Sequence, residues 1–411
     1  MVIPPPELGT RALDARGDPA FATSTGIETN SLFSQFASVP AVVDAAHLTA
    51  LERLAQLLDA ALRAIVARYF DDSRIRAIYR LPESLNRILR QSHDRPYRVG
   101  YYRPDFVYDT AGQPRICEIG ARYPLNGWMV SRLAAEAYGP AAERLGLRTQ
   151  IGQHAFLRDL LTLHPPGSTV AMVHEREAGT ELFQLREALR RQGTDFVQVA
   201  PGRLGAVRGR LTVDGRPIDR AILELDRSEL TMIADDVLAA LLDGEAYFND
   251  VRTLILVHDK RVLAVLWDEA IMRDYLPAND LAALRPYLIP SWAPASLKEA
   301  ESLQTRPENL IAKRNSGGRG LGTVVRDGSD LAQWWDLVRG HWTEYMFQSY
   351  LPQRAFVPPD DDSGEARIHL VGMQLCRDAL SFGLGVFRGS DQAVINLHQN
   401  RGRLYQTLVR P

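Results

Sequence analysis

The segment Lys313-Arg-Asn-Ser-Gly-Gly-Arg-Gly-Leu-Gly constrains this chain more than any other. Glycines at 317, 318, 320 and 322 are too dense for the interior of a helix or strand. The β-forming runs on either side, Asn309-Leu-Ile-Ala-Lys and Thr323-Val-Val, must therefore be joined by a loop. A dinucleotide fingerprint fails on glycine spacing, and a strand follows where that motif needs a helix. A P-loop fails too, because no Gly-Lys-Ser/Thr ends the run. What remains is strand, glycine loop, strand, with Lys313 closing the first strand. Such a loop either folds over phosphate groups, its amides meeting their oxygens, or is an ordinary flexible hairpin.

Lysine is scarce. It occurs only at 260, 298 and 313, so 45 of the 48 basic residues are arginine. A compact ammonium and a planar guanidinium are not interchangeable at a tight site, which makes the surviving lysines informative. Lys260, in His258-Asp-Lys-Arg-Val-Leu, is expected to follow a buried strand over 253–258 and to open a helix. Two of three lysines thus sit at expected strand ends beside candidate phosphate positions. The formal charge of −2 argues against a nucleic-acid surface. No apolar run reaches the roughly 18 residues of a membrane span. The N-terminus has neither a charged leader region nor an apolar one, and two cysteines cannot frame a disulfide fold. The expectation is a cytoplasmic protein without nucleic-acid or membrane partners.

The coarse pattern is α/β. Residues 1–45 read as an irregular arm and 46–69 as an amphipathic helix. Tyr97–Asp109 and Arg115–Gly120 read as a hairpin about the turn Thr110-Ala-Gly-Gln-Pro. Strands near 170–173, 196–199, 220–225 and 253–257 alternate with helices, as in an open parallel lobe. Residues 259–285 read as helical. Beyond a helix at 329–338, strands at 341–350, 367–373, 380–388 and 393–397 suggest an antiparallel sheet. The division expected is 1–165, a helical segment with the hairpin; 166–258, the α/β lobe; 259–340, the region of the glycine loop; and 341–411, the C-terminal antiparallel strands.

Glu118 lies among apolar neighbours, where a lone carboxylate is costly unless paired or metal-bound. Arg103 and Asp105, two residues apart, share one face of the preceding strand. The three either bind a cation and substrate or form a buried ion-pair cluster. His174, His258 and His398 lack ligand spacing, and Ser168 and Ser316 lack a nucleophile-elbow context. Cys117 and the tryptophans read as packing residues.

Arg103-Pro-Asp-Phe-Val-Tyr, a turn, then Ile116-Cys-Glu-Ile-Gly resembles the Arg-x-Asp-Tyr and Ile-Glu-x-Asn hairpin of eukaryotic-type glutathione synthetase, a circularly permuted member of the ATP-grasp superfamily. The order of later motifs fits: Lys260, Lys313 with its glycine loop, Tyr345-Met-Phe-Gln, then Val394-Ile-Asn with downstream arginines. The resemblance spans about residues 97–405 and implies an ATP-grasp fold, an antiparallel catalytic sheet and a glycine-loop lid. It implies ATP and Mg²⁺ as cofactors. Lys260 and Lys313 would contact phosphates, and Ser316, Gly317, Gly318 and Gly320 would form the lid loop. Met346, Phe347 and Gln348 would receive adenine, with Phe347 as an apolar wall. Glu118, with Asp105 and Asn396, would hold the metal. Arg103, Asp105 and Arg401 would serve catalysis, and Arg103, Arg122, Glu224, Arg227 and Arg403 would bind substrates. Two positions depart from the family: Gly120 stands where it has a metal-binding Asn, and Gly383 where it has a glutamate.

The activity implied is ATP-dependent amide formation between the carboxylate of an amino acid or short peptide and an amine, through an acyl phosphate. A nucleotide-binding relative without turnover and a small-molecule kinase remain open, as does a homodimer.

Overall fold

A computed structural model describes residues 5–13, 34–122, 127–176, 182–243, 247–318, 322–328, 331–358, 367–392, 394–395 and 402–411. The first expectation to change concerns the N-terminal arm. Strands β1 (Glu7–Leu8) and β2 (Ala41–Asp44) pair with each other. The long helix α1 (Ala45–Arg68) follows, and Leu51, Leu54, Leu58, Leu62 and Ile65, spaced three and four apart, are buried along one face.

The hairpin forms as its alternation predicts, from β3 (Tyr101–Tyr108) and β4 (Pro114–Gly120). Asp109 closes its turn by accepting the Ala111 and Gln113 amides, while Gly112 takes a positive φ of 84°. Helix α2 (Trp128–Arg144) then leads towards the α/β lobe.

In that lobe β5 (Thr169–Val173) and β6 (Asp195–Val199) pair in parallel. A small antiparallel meander of β7 (Leu204–Val207), β8 (Arg210–Val213) and β9 (Arg216–Pro217) intervenes. Strands β10 (Arg220–Leu223) and β11 (Tyr247–Phe248) complete a parallel sheet of order β11-β10-β5-β6. The fourth strand is therefore Tyr247–Phe248 and not 253–257. Thr253–Val257 is instead a π-helix, every residue of it buried. Short apolar runs fit a buried strand or a buried helical turn equally well, so periodicity could not separate them. The helix expected over 259–285 is broken into Val262–Trp267, Glu269–Met272 and Ala278–Leu284. Asp268 causes the first break by capping the Ala270 and Ile271 amides, and Pro277 precedes the third piece.

Next comes an antiparallel sheet of β12 (Ser291–Trp292), β13 (Leu310–Arg314), β14 (Thr323–Val325) and β15 (Tyr345–Ser349), in the order β12-β15-β13-β14. The helices Leu297–Ser302 and Leu331–Gly340 pack on it through Ala300, Trp334, Leu337 and Val338, a small core of its own. The chain then returns to the hairpin with β16 (His369–Arg377), β17 (Leu380–Leu384), β18 (Phe387–Ser390) and β19 (Arg403–Tyr405). These build a six-stranded sheet, β19-β18-β16-β3-β4, with β17 also on β16. Of the strand expected over 393–397, Val394 and Ile395 are described and lie outside any strand. Strand β20 (Thr407–Arg410) runs parallel to β2, tying the C-terminus to the N-terminal arm. Phe106, Tyr108 and Phe387 cover one face of the six-stranded sheet and pack in the same core as α1. No helix among the described residues is long and apolar enough to cross a membrane.

Candidate functional site

The other face of the six-stranded sheet carries the polar residues. In the register of β3 and β4, Arg103 lies opposite Gly120 and Asp105 opposite Glu118, but Phe106 pairs with Ile116. Cys117 is the extra residue of a β-bulge, a device that re-aims neighbouring side chains. Its effect is to set the Asp105 and Glu118 carboxylates across from each other. Like charges so placed repel, so each needs a cation. Arg388 of β18 supplies one, its Nη2 lying 2.5 Å from Asp105 Oδ2. Lys260 supplies the other, its Nζ lying 3.0 Å from Glu118 Oε1. Burial, the largest single influence, acts to raise the Glu118 carboxyl, but Lys260, His258 and Lys313 together outweigh it and hold the group down at about 2. Asp105 Oδ1 is buried and has no partner among the described residues.

The two lysines arrive from different elements. The Lys260 ammonium also donates to the Gly317 carbonyl at 2.8 Å, and its backbone N–H to Asn315 O at 2.9 Å, so one residue holds the start of the glycine loop twice. Lys313, at the end of β13, crosses to the other sheet: its Nζ donates to Cys117 O at 2.9 Å and to Gln348 Oε1 at 2.8 Å. Burial lowers its proton affinity, opposed by the nearby Cys117 and Glu118. The bulge thus serves Lys313 as well, through the carbonyl of its extra residue.

Arg103 completes the cluster differently. Among the described residues its guanidinium meets no carboxylate; its one polar contact is Met373 Sδ at 3.9 Å. It is seated where two side chains are missing. A Cβ on Gly120 would lie 2.8 Å from Nη2, and one on Gly127 would lie 2.5 Å from Nη1. Gly127 also has φ 84° as the residue capping α2, a conformation that a side chain would strain. The guanidinium therefore occupies the room that a side chain at 120 would need. Gly120→Asn is expected to fold normally, because the atom it meets is the end of a flexible side chain. It should displace Arg103 and raise the KM of a substrate bound there, and unchanged steady-state kinetics would show that Arg103 has no part in binding. Gly383 has a backbone reason of its own: its φ is 85°, and its Cβ would lie 2.4 Å from Gln150 Oε1.

The remaining expectations divide. Gly317 and Gly318 stand beside Lys260 and Arg122, since a Cβ on Gly318 would lie 3.4 Å from Arg122 Nη2. Ser316 is exposed. Gly320, Asn396 and Arg401 lie outside the described residues. Met346 and Phe347, two of the residues expected beside adenine, face the interior. Both side chains are fully buried, Met346 in the main core and Phe347 against Trp334 at 6.0 Å between ring centroids. Their strand is paired on both sides at Phe347, to Ala312 and Trp292, so its backbone groups are engaged as well. Gln348 is spent on Lys313 and on Ser291 Oγ, to which it donates at 2.9 Å.

Glu224 is buried at the carboxyl end of β10, the edge where parallel sheets take ligands. Arg227 is committed elsewhere: it donates to Asp259 and to the Ile255 carbonyl. That contact, with Arg261 on the same carboxylate, makes it a structural link. Arg403 is exposed and pairs with Gly389, so it shares the Phe387 face of the sheet and points away from Arg388.

Two residues escaped the sequence reading. Arg388 shows no motif, and its partner Asp105 is 283 positions away. His258 is buried beside Glu118, Lys260 and Arg122, and burial first, with those cations, drives its proton affinity well below the ordinary value. Its place directly before Asp259-Lys260 was the available hint. Among the described residues no three His, Cys, Asp or Glu side chains gather as a metal site, so the pair Asp105 and Glu118 is what a cation could use.

Comparison with known proteins adds the following. The AnkG N-terminal domain family matches residues 54–256. The ATP-grasp enzyme ankG of Aspergillus thermomutatus is 24% identical over 432 aligned residues, covering 90% of this chain and 88% of that protein. Among solved structures, a provisionally assigned gamma-glutamylcysteine synthetase from Methylobacillus flagellatus KT shares 12% identity at a TM-score of 0.43, over 86% of this chain and 88% of that one.

Proposed function

We propose that this chain is an ATP-dependent ligase of the ATP-grasp type, joining the carboxylate of an amino acid or short peptide to an amine. One observation carries the reading. Two of the chain's three lysines, from separate elements, meet adjacent residues of β4, Lys260 on the Glu118 carboxylate and Lys313 on the Cys117 carbonyl, where Glu118 faces Asp105 across the strands. Among the described residues Lys260, Lys313, Arg388 and Arg103 outnumber Asp105 and Glu118 there, and a partly buried excess of cations is matched by an anionic ligand such as a triphosphate. The similarity to a protein named as an ATP-grasp enzyme points the same way.

The residues also fit magnesium. It commonly takes one or two carboxylates together with substrate phosphates, and here Glu118 faces Asp105, whose Oδ1 has no partner among the described residues. When bound, the ion would supply charge neutralisation on the transferred phosphoryl group.

The protein's part is positioning. Arg103, seated between two glycines, orients the substrate carboxylate. A carboxylate oxygen attacks the γ-phosphorus, the bond to the bridging oxygen breaks, and ADP leaves. Lys260 and Lys313 follow the charge as it spreads over the phosphoryl oxygens. The amine nitrogen then attacks the acyl carbon, the carbon–oxygen bond to phosphate breaks, and phosphate departs with release of a proton. The glycine loop anchored on Lys260 keeps water from the acyl phosphate.

The experiment is ADP release from Mg-ATP with amino acids offered singly and in pairs. The ligase reading expects turnover that needs two substrates. ADP release with one substrate and a stable phosphorylated product would make the protein a kinase. Tight Mg-ATP binding without turnover on any pair would make it a nucleotide-binding relative.

A further inference from the structure

His258 ends the π-helix Thr253–Val257, its backbone N–H donating to Thr253 O at 3.1 Å, and its side chain is 6% exposed. The ring has a defined orientation. Its Nδ1 faces the Ala121 backbone N–H at 3.4 Å, at the end of β4. An amide can only donate, so Nδ1 accepts and the ring proton belongs on Nε2. Nε2 lies on the far side of the ring, is buried, and has no partner among the described residues. A buried N–H without an acceptor is a costly thing to keep. The charged groups acting on the ring are the cations Arg122, Lys260 and Arg227 and the carboxylate of Glu118. Glu118 is already taken by Lys260. Arg227 is likewise taken by Asp259, so the acceptor that Nε2 lacks among the described residues is left for a ligand, and beside these cations an anionic oxygen is the acceptor that fits.

We infer that the Nε2–H of His258 donates a hydrogen bond to an anionic oxygen of the bound reactants. The inference rests on the ligase reading for the identity of those reactants. The oxygen is a phosphoryl oxygen of the nucleotide or a substrate carboxylate, chemically the same acceptor. A neutral donor suits the position, since it directs the oxygen without adding a further charge to a crowded cationic site.

Two substitutions separate this role from a structural one. His258→Asn keeps an acceptor near Nδ1 for Ala121 and loses the distal donor. His258→Gln loses the Ala121 contact and can place an amide N–H near Nε2. The donor role expects His258→Asn to cost about 30-fold in kcat/KM, with His258→Gln within about threefold of wild type. The reverse order, or equal losses in both, would overturn it. Mg-ATP titration of His258→Asn names the source: a weakened Kd marks a phosphoryl oxygen, whereas an unchanged Kd with a raised substrate KM marks a carboxylate. Imidazole ¹⁵N spectra of the wild type provide a readout that needs no turnover. They should show the Nε2–H tautomer in the free protein, and an Nδ1–H tautomer would sink the inference. If no substrate pair releases ADP, the ligase reading fails by itself. The inference is then decided by the Nε2 resonance with Mg-ATP and with amino acids added to it: a shift with either upholds the inference, and no shift with any of them overturns it.

Discussion

Lys313→Met is expected to leave the fold intact and to lower amide-forming turnover by about 10²–10³-fold, the scale of losing one preorganised charge at a phosphoryl-transfer site. The reasoning begins with burial. The Lys313 side chain leaves the end of β13, is 9% exposed, and is the chain's direct bridge from the four-stranded sheet to Cys117 on the six-stranded one. Methionine fills the same volume with no donor. It leaves the Cys117 carbonyl and the Gln348 amide oxygen without this partner, at about 1–3 kcal/mol. That loss should be visible as a lower melting temperature in an otherwise cooperative transition. Activity falls much further because the ammonium also stands among the charged groups of the candidate site, Glu118, Lys260 and Asp105. Lys313→Arg is the instructive companion. It keeps the charge, but a planar fork cannot place one donor between a backbone carbonyl and a side-chain amide as a compact ammonium does. Arginine is therefore expected to restore stability more than turnover. In a chain with 45 arginines among its 48 basic residues, that difference is a reason for a lysine here. Wild-type ADP release from Lys313→Met would remove the phosphate role altogether.

How much of this was legible in the sequence depends on the range over which each feature is decided. The hairpin of β3 and β4 was readable because alternation and turn chemistry are local, and so was Lys313 at a strand end before glycines. The bulge at Cys117 was not, since it is defined only by the register against β3. The same holds for Arg403, where a shift of one position decides which face of the sheet a side chain joins. Leu404, not Arg403, pairs with Arg388. Phe347 was ambiguous in another way: an apolar residue on a strand next to a nucleotide site is equally suited to a core, and the helix carrying Trp334 decides for the core. The meander of β7 to β9 was readable and was missed. Arg208-Gly209 and Asp214-Gly215, both with positive φ throughout, are the two-residue turns that such hairpins require. Arg388 and the Asp259 network could not have been read locally, because their partners come from distant parts of the chain.

The Asp259 network carries the largest expected effect on stability. Asp259 is fully buried, receives the Arg261 N–H at 2.8 Å, Nε at 3.0 Å and Nη2 at 2.7 Å, and is bonded by Arg227 as well. Asp259→Ala is expected to destabilise the protein by about 3–5 kcal/mol, because it strands two guanidinium groups away from water. Measurement is by denaturant unfolding, with Arg203→Ala, which breaks an exposed pair with Asp214, expected to cause no measurable change. The carboxylate also sets a pH dependence. Burial acts to raise its pKa, but Arg227 and Arg261 prevail and hold it at about 2, below the ordinary 3.8. A group whose folded pKa is depressed stabilises the fold above its unfolded pKa and loses that contribution as pH falls through the folded one. Glu118 behaves in the same way, held near 2 from an ordinary 4.5. Wild-type stability should therefore decline between about pH 4.5 and 2, and Asp259→Ala should flatten part of that decline. The functional consequence follows from sequence position: Asp259 lies between His258 and Lys260, and its arginine partner Arg227 opens the helix just beyond Glu224. At temperatures where Asp259→Ala remains folded, Mg-ATP should bind more weakly, because the carboxylate that fixes the turn beneath Lys260 is gone. A variant with lost stability and wild-type nucleotide affinity would show instead that this ion-pair network holds the lobes together without aiming the lysine.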